Sequence, residues 1–282
     1  MNIKLVASDL DGTIIDRNNF ISNENFKAID TLHSKNIDFV VCTGKSYSVS
    51  KTICQDFKAR YGIFGNGAQI IDLKTGEELN RKVLKPKQIS YCIKLARKNN
   101  LHIHFYTENS IVTENLQYMD LRNYILKDIN GTEIKFFIVP NIEKYIEEEQ
   151  PDIFSLILTS DSSVVEIEKD IQKHLSVSTS LISKKGIYKD NIINKEYEYL
   201  NIAPNNINKN QALAFLSEHL QIPQTEMLAI GDNVNDLEMI KHSGIGIAVG
   251  DAYNELKNVA QYVTQKGVSD GAFAEAINKF IE

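Results

Sequence analysis

Apolar residues follow two rhythms along the chain, and the change of rhythm divides it. Near the start, residues 3–8, 38–42 and 61–64 form short apolar runs that read as buried strands. Between the first two, Phe26, Ile29 and Leu32 recur at helical spacing behind Ser22, a residue type that caps helices. Strand, helix, strand predicts a parallel sheet with crossover helices. The middle of the chain reads differently. Residues 87–99 place Ile89, Cys92, Ile93 and Ala96 on one helical face. Strand-like runs follow at 102–106, 110–113, 135–139 and 153–158, with helices expected at 116–126 and 164–175. The last third returns to the opening rhythm, with helices at 209–220, 236–243, 254–260 and 272–281 alternating with strands at 227–230, 244–249 and 261–264. One α/β domain interrupted by a smaller α+β domain accounts for the pattern. The expected limits are 1–80 with 189–282 for the Rossmann-like core and 81–188 for the insertion.

Composition narrows the function classes. The chain has 282 residues, 43% of them apolar, enough for two domains with their own cores. A formal net charge of -6 argues against a nucleic-acid binder that works through general basicity. Cys42, Cys54 and Cys92 are odd in number and far apart, so neither a disulfide framework nor a zinc site is expected. No apolar stretch is long enough to span a bilayer, and a cytoplasmic protein without a membrane partner is the expectation.

The chemistry concentrates at strand ends. Asp9-Leu10-Asp11-Gly12-Thr13 directly follows the first apolar run. Active sites of open α/β sheets form beyond the carboxyl ends of strands, and two carboxylates this close repel unless they share a cation or a proton. A magnesium ion, which prefers oxygen ligands, meets that need. Gly231-Asp232-Asn233-Val234-Asn235-Asp236 repeats the arrangement after the run 227–230, with Asp232 placed to complete a metal site and Asn235 and Asp236 to support it. Either segment alone could be a capped turn or helix start; two at strand ends of one domain point to a site. Thr43-Gly44-Lys45 offers a hydroxyl and backbone N–H groups to phosphate oxygens, and Lys209 opens a predicted helix where an ammonium could neutralise phosphate.

These four segments, in this order, resemble the four motifs of the haloacid dehalogenase superfamily. The inserted domain makes the chain similar to its Cof-type phosphatases. Phe64-Gly65-Asn66-Gly67-Ala68, Val249-Gly250-Asp251-Ala252 and Ser269-Asp270-Gly271 resemble further signatures of that group. The resemblance implies a Rossmann-like core with an α/β cap, and a magnesium-dependent phosphatase acting on small phosphorylated metabolites. It implies Asp9 as the nucleophile and Asp11 as general acid and base. It implies magnesium held by the Asp9 carboxylate, the Asp11 backbone carbonyl and Asp232, with Asp236 beside them. The phosphoryl group would be held by the Leu10 backbone, Thr43, Gly44, Lys209 and Asn235. Lys45, Asn210 and Asp251 depart from the residues usual there: Arg, Gly and Asn. A carboxylate at Asp11 separates phosphatases and mutases from dehalogenases.

Other features read more plainly. His102 and His104 lie on one face of a predicted strand without a third ligand nearby, and Cys42 reads as core. Lys184 and Lys185 lie near the end of the insertion, where a cationic loop could select substrates; a surface turn is the simpler reading. A phosphomutase of similar build and a non-enzymatic phosphoacceptor domain are the rival functions.

Overall fold

The computed structural model describes residues 2–16, 18, 20–117, 135–185 and 196–281. They form two compact units: Met1–Arg81 with Ile207–Glu282, and Lys82–Asn206.

The first unit is built on an eight-stranded sheet. Its strands are β1 (Leu5–Ser8), β2 (Asp38–Cys42), β3 (Tyr61–Phe64), β4 (Gln69–Asp72), β5 (Glu77–Arg81), β6 (Met227–Gly231), β7 (Ile245–Ala248) and β8 (Tyr262–Val263). Their spatial order is β8-β7-β6-β1-β2-β3-β4-β5. From β8 to β3 all pairs are parallel, and β4 and β5 extend the sheet as antiparallel strands. A parallel sheet covered on both faces needs continuous apolar strands. Accordingly, every residue of β1 and β6 is buried, as are Phe39, Val40, Val41 and Cys42 of β2. The outermost strand β5 is charged and exposed, which blunts an open edge. Within this unit β6, β1 and β2 lie side by side, with Ser8 level with Ile230 on one side and Val41 on the other. Their carboxyl ends therefore deliver Asp232, Asp9 and Thr43 to one edge of the sheet.

Helix Asn23–Ser34 starts where expected, with the Ser22 side chain accepting from the Asn25 N–H at 3.2 Å. Periodicity did not single out Asn25, which is fully buried. Its amide donates to the Ile14 carbonyl at 3.2 Å and accepts from the Ala274 N–H at 3.1 Å. One side chain thus ties the loop after β1 to the first turn of helix Ala272–Phe280, whose leading N–H groups have no partner inside the helix.

The second unit has its own six-stranded sheet. The order is Val177–Lys185, Glu196–Pro204, Ser155–Ser160, His102–Tyr106, Ser110–Thr113 and Lys135–Ile138. All pairs are antiparallel except the last, which is parallel. Helices Pro86–Lys98, Ile142–Glu149 and Val165–His174 accompany the sheet, and Cys92, Phe105, Leu156, Leu158, Leu200 and Ile202 are among its core residues.

Two expectations need correction. The insertion does not end at 188: the second unit runs to Asn206, because Glu196–Pro204 pairs with both Val177–Lys185 and Ser155–Ser160. That strand alternates polar and apolar residues, and only pairing buries Leu200 and Ile202. Lys184 and Lys185 belong to a strand rather than a loop, opposite Tyr197 and Glu196; their side chains lie outside the described structure. The helix expected at 116–126 runs into residues 118–134, which also lie outside it. No helix among the described residues is long and apolar enough to cross a membrane.

Replacing Asn25 by Ala would strip partners from the Ile14 carbonyl and the Ala274 N–H, each buried. Leaving such groups unsatisfied costs about 1–3 kcal/mol apiece. Chemical denaturation should show Asn25→Ala destabilised by about 2–4 kcal/mol. A loss below about 0.5 kcal/mol would mean that the tie is not structural.

Candidate active site

A buried lysine organises the edge where β6, β1 and β2 end. Lys209 is the first residue of helix Lys209–Leu220, capped by Asn208, whose side chain accepts from the Gln211 N–H at 2.8 Å. Its side chain is fully buried and donates to Asp9 Oδ1 and, at 2.6 Å, to Asp236 Oδ1. Ammonium groups are rarely buried without paired anions. Lys209 has two, and they hold its pKa above the ordinary lysine range despite the opposing effect of burial.

Asp9 leaves β1 with its N–H bonded to the Ile230 carbonyl of β6 at 3.0 Å. It is 6% exposed, and burial raises its pKa against the opposing charge of Lys209. Asp236 is fully buried and both of its oxygens are used: Oδ1 takes Lys209, and Oδ2 accepts from the N–H groups of Asp232 and Asn233 at 3.1 Å each. Asp236 therefore shapes the loop that presents Asp232. Asp232 is pushed up to about 6, first by burial and then by the Asp236 carboxylate. Its Oδ1 is buried and accepts no hydrogen bond.

Carboxylate oxygens of Asp9, Asp232 and Asp236 lie within 4.8 Å of one another. With all three carboxylates ionised, one ammonium leaves two uncompensated negative charges in a partly buried space. Like charges about 4 Å apart repel by about 4 kcal/mol at an effective dielectric of 20. A divalent cation would remove that excess, and the donors are the hard oxygens that magnesium prefers. The unpartnered Asp232 Oδ1 is the clearest sign that the set fits such an ion.

Gly12 makes the approach feasible. It sits at φ 89°, and a β-carbon there would fall 2.3 Å from Asp232 Oδ2. The loop after β1 can lie against Asp232 only because this residue has no side chain.

The other expected residues take several places. Thr43 is buried, its N–H bonded to the Ile63 carbonyl at 2.8 Å and its hydroxyl accepting from the Lys45 N–H at 3.1 Å. Gly44 is exposed beside it. The Leu10 carbonyl closes the turn by accepting from Ile14 and Ile15 at 3.0 and 2.9 Å. The Asp11 side chain does not join the cluster: it is 44% exposed and pairs with Lys45 at 2.7 Å. Cys42 is buried, and burial raises its thiol pKa, in keeping with a core residue. His102 and His104 are buried in the second unit and contribute to no metal-ligating group among the described residues.

Sequence reasoning gave no role to Asn66. Its Oδ1 accepts from Asn235 Nδ2 at 2.9 Å, and its N–H donates to the Thr43 carbonyl at 3.0 Å. A β-carbon on Gly44 would touch this amide at 3.2 Å. Asn66 therefore joins the turn after β2 to the loop after β6. It adopts φ 56°, a left-handed conformation that Asn tolerates better than most residues. The signal was its place between Gly65 and Gly67, both also at positive φ.

An open parallel sheet that gathers carboxylates and a lysine beyond its strand ends defines a class of hydrolytic enzyme suited to phosphoryl groups. The sequence model of the haloacid dehalogenase-like hydrolases matches residues 6–277, and the chain belongs to that family. It is a hydrolase of the phosphatase type. Among its relatives is the 5-amino-6-(5-phospho-D-ribitylamino)uracil phosphatase YcsE of Bacillus subtilis, 28% identical over 100% of this chain and 97% of the relative. A second protein of that organism with the same activity in its name, YwtE, is 27% identical over 95% of each chain. The crystal structure of a haloacid dehalogenase-like hydrolase from Bacteroides thetaiotaomicron superposes with a TM-score of 0.78 at 24% identity, covering 98% of this chain and 99% of that one.

The Asn66–Asn235 bond can be tested as a pair. Glycine tolerates the positive φ of this position, so Asn66→Gly removes the side-chain amide without forcing the backbone. Asn66→Gly, Asn235→Ala and the double variant should show a coupling of about 0.5–1.5 kcal/mol by chemical denaturation. Strictly additive losses would mean that the two loops are not joined through these side chains.

Proposed function

We propose that the chain is a magnesium-dependent phosphatase that hydrolyses small phosphomonoesters through an aspartyl-phosphate on Asp9. The observation that carries this reading is the buried cluster of Asp9, Asp232 and Asp236 around Lys209 at one sheet edge.

Magnesium would be held by the Asp9 and Asp232 carboxylates and the Asp11 backbone carbonyl, with Asp236 acting behind them. When bound, it supplies charge neutralisation to the carboxylates and the phosphoryl oxygens. Lys209 fixes one oxygen of Asp9, which orients the carboxylate for in-line attack. The Asp9 oxygen forms a bond to phosphorus as the bond to the leaving oxygen breaks, and that oxygen takes a proton from the Asp11 carboxyl group. Water then attacks phosphorus and gives its proton to the Asp11 carboxylate. The Asp9–phosphate bond breaks, and inorganic phosphate leaves. The Leu10 backbone, Thr43, Gly44, Lys209 and Asn235 hold the phosphoryl group, matching the expectation that preorganised donors carry most of the catalysis of phosphoryl transfer.

Sugar phosphates, nucleotide-like cofactors and pyridoxal phosphate make up the substrate class. The phosphoribitylamino-uracil named for two relatives falls within it and is the first compound to assay. Selection among them belongs to the inserted unit, with Lys184 and Lys185 as contacts for a second anionic group on the strength of the sequence alone. The protein works in the cytoplasm, where such metabolites are found. Release of inorganic phosphate over many turnovers separates this reading from a phosphomutase, which returns the phosphoryl group to sugar, and from a phosphoacceptor domain, which turns over once.

Asp9→Asn keeps the shape of the side chain but replaces the nucleophile with an amide. It should lower turnover by more than about a thousandfold without unfolding the protein. Retention of most of the activity would sink the covalent route.

The cluster also sets a pH dependence. Asp9 and Asp232 both have raised pKa values in the folded protein, Asp232 at about 6. The stability these groups contribute is present below the ordinary carboxylate range and is lost as pH rises through the raised values. Metal-free protein should therefore weaken between about pH 4 and pH 7. Magnesium favours the ionised forms, so the rise in melting temperature it causes should be larger at about pH 8 than at about pH 5. An equal rise at both values, or none, would count against a magnesium site at these carboxylates.

A further inference from the structure

Asp11 and Lys45 come from different loops and meet in one ion pair. Lys45 Nζ donates to Asp11 Oδ1 at 2.7 Å, with the lysine side chain 25% exposed and the aspartate 44%. Both backbones are held. The Lys45 N–H donates to Thr43 Oγ1 at 3.1 Å, and its carbonyl accepts from the Gly65 N–H at 2.9 Å. On the other side, the Gly12 N–H donates to the Ile15 carbonyl at 2.8 Å, and the Leu10 carbonyl accepts from Ile14 and Ile15. The loop that carries Asp11 is thereby closed around it. Solvent-exposed ion pairs add little to stability. An exposed carboxylate on a fixed backbone still has several side-chain rotamers open to it, and one directional partner selects among them.

We propose that Lys45 is a positioning residue for Asp11, holding its carboxylate in the orientation from which it exchanges protons with the leaving group and with water. The proposal rests on the reading of Asp11 as general acid and base. Asp11 gives up its proton as the leaving oxygen departs and is then an anion until water returns a proton to it. Lys45 meets that anionic form from outside the Asp9, Asp232 and Asp236 cluster. The pairing also gives Lys45 a task that phosphate binding alone would not: it acts on the leaving-group side of the reaction. The consequence is selective. Departure of an alkoxide needs the proton, whereas departure of a nitrophenolate scarcely does, so losing the orientation of Asp11 harms only the first.

The test compares kcat/KM, which reports the reaction up to leaving-group departure, for glycerol phosphate and para-nitrophenyl phosphate. The proteins are the full chain and its Lys45→Met, Lys45→Arg and Asp11→Asn variants, all with magnesium. Lys45→Met should lower the glycerol phosphate value by about tenfold or more and the para-nitrophenyl phosphate value by about threefold or less. Lys45→Arg keeps a donor to Asp11 and should recover most of the glycerol phosphate loss. Equal falls on both substrates, or no fall on either, would overturn the proposal; equal falls would make Lys45 a phosphate contact instead. Asp11→Asn separates the two levels of the argument. If it too falls equally on both substrates, the acid assignment itself is wrong. If it is selective for the alkyl phosphate while Lys45→Met is not, only the positioning role fails.

Discussion

The clasp of Lys209 by Asp9 and Asp236 is the interaction on which the site depends. A buried ammonium needs anions, and anions gathered beside it need more positive charge than one lysine supplies. The structure answers the first need internally and leaves the second unmet, with Asp232 Oδ1 lacking a partner. A divalent cation would balance this excess, and the carboxylate oxygens are the hard donors that suit one. Removing Lys209 would leave Asp9 and Asp236 buried against each other, so the fold itself depends on the lysine.

Sheet topology explains why these groups meet. Strands β6, β1 and β2 are neighbours and parallel, so their carboxyl ends are level although β6 lies far along the chain from the other two. Close approach then depends on the absence of side chains at two glycines. A β-carbon on Gly12 would collide with Asp232, and one on Gly231 would fall 2.5 Å from Asp236 Cγ. Asn25 and Asn66 add polar ties between segments, the first in the buried layer behind the loop after β1 and the second between the loops after β2 and β6. The division of labour is clear: apolar strands set the plane, and a few hydrogen-bonded side chains fix the loops on it.

The two units differ as their sequences differ. The first buries continuous apolar strands within a mostly parallel sheet. The second builds a mostly antiparallel sheet around a separate core. Insertion of an independent core into a loop leaves the first sheet intact, because both ends of the insertion leave and re-enter beyond β5 and before helix Lys209–Leu220.

Much of this was legible in the sequence. Mostly apolar runs marked β1, β2, β3 and β6, since strands buried on both faces are built largely of apolar residues. Helix Lys209–Leu220 was read with its bounds, and the two acidic segments stood out because each follows such a strand. Strand Glu196–Pro204 was missed because its alternating residues become a buried face only when paired, and that omission moved the expected end of the insertion from 206 to 188. Asn25 and Asn66 carry no periodic signal, and their partners are set by folding. The sequence by itself determined which residues could carry charge at strand ends, because residue type and local pattern are properties of short segments. Only the tertiary structure decided that Asp236 would hold Lys209 and its own loop, that Asp11 would turn to Lys45, and that Asp232 would keep an open oxygen. Those outcomes depend on distances between segments far apart in the chain, which only the folded sheet fixes.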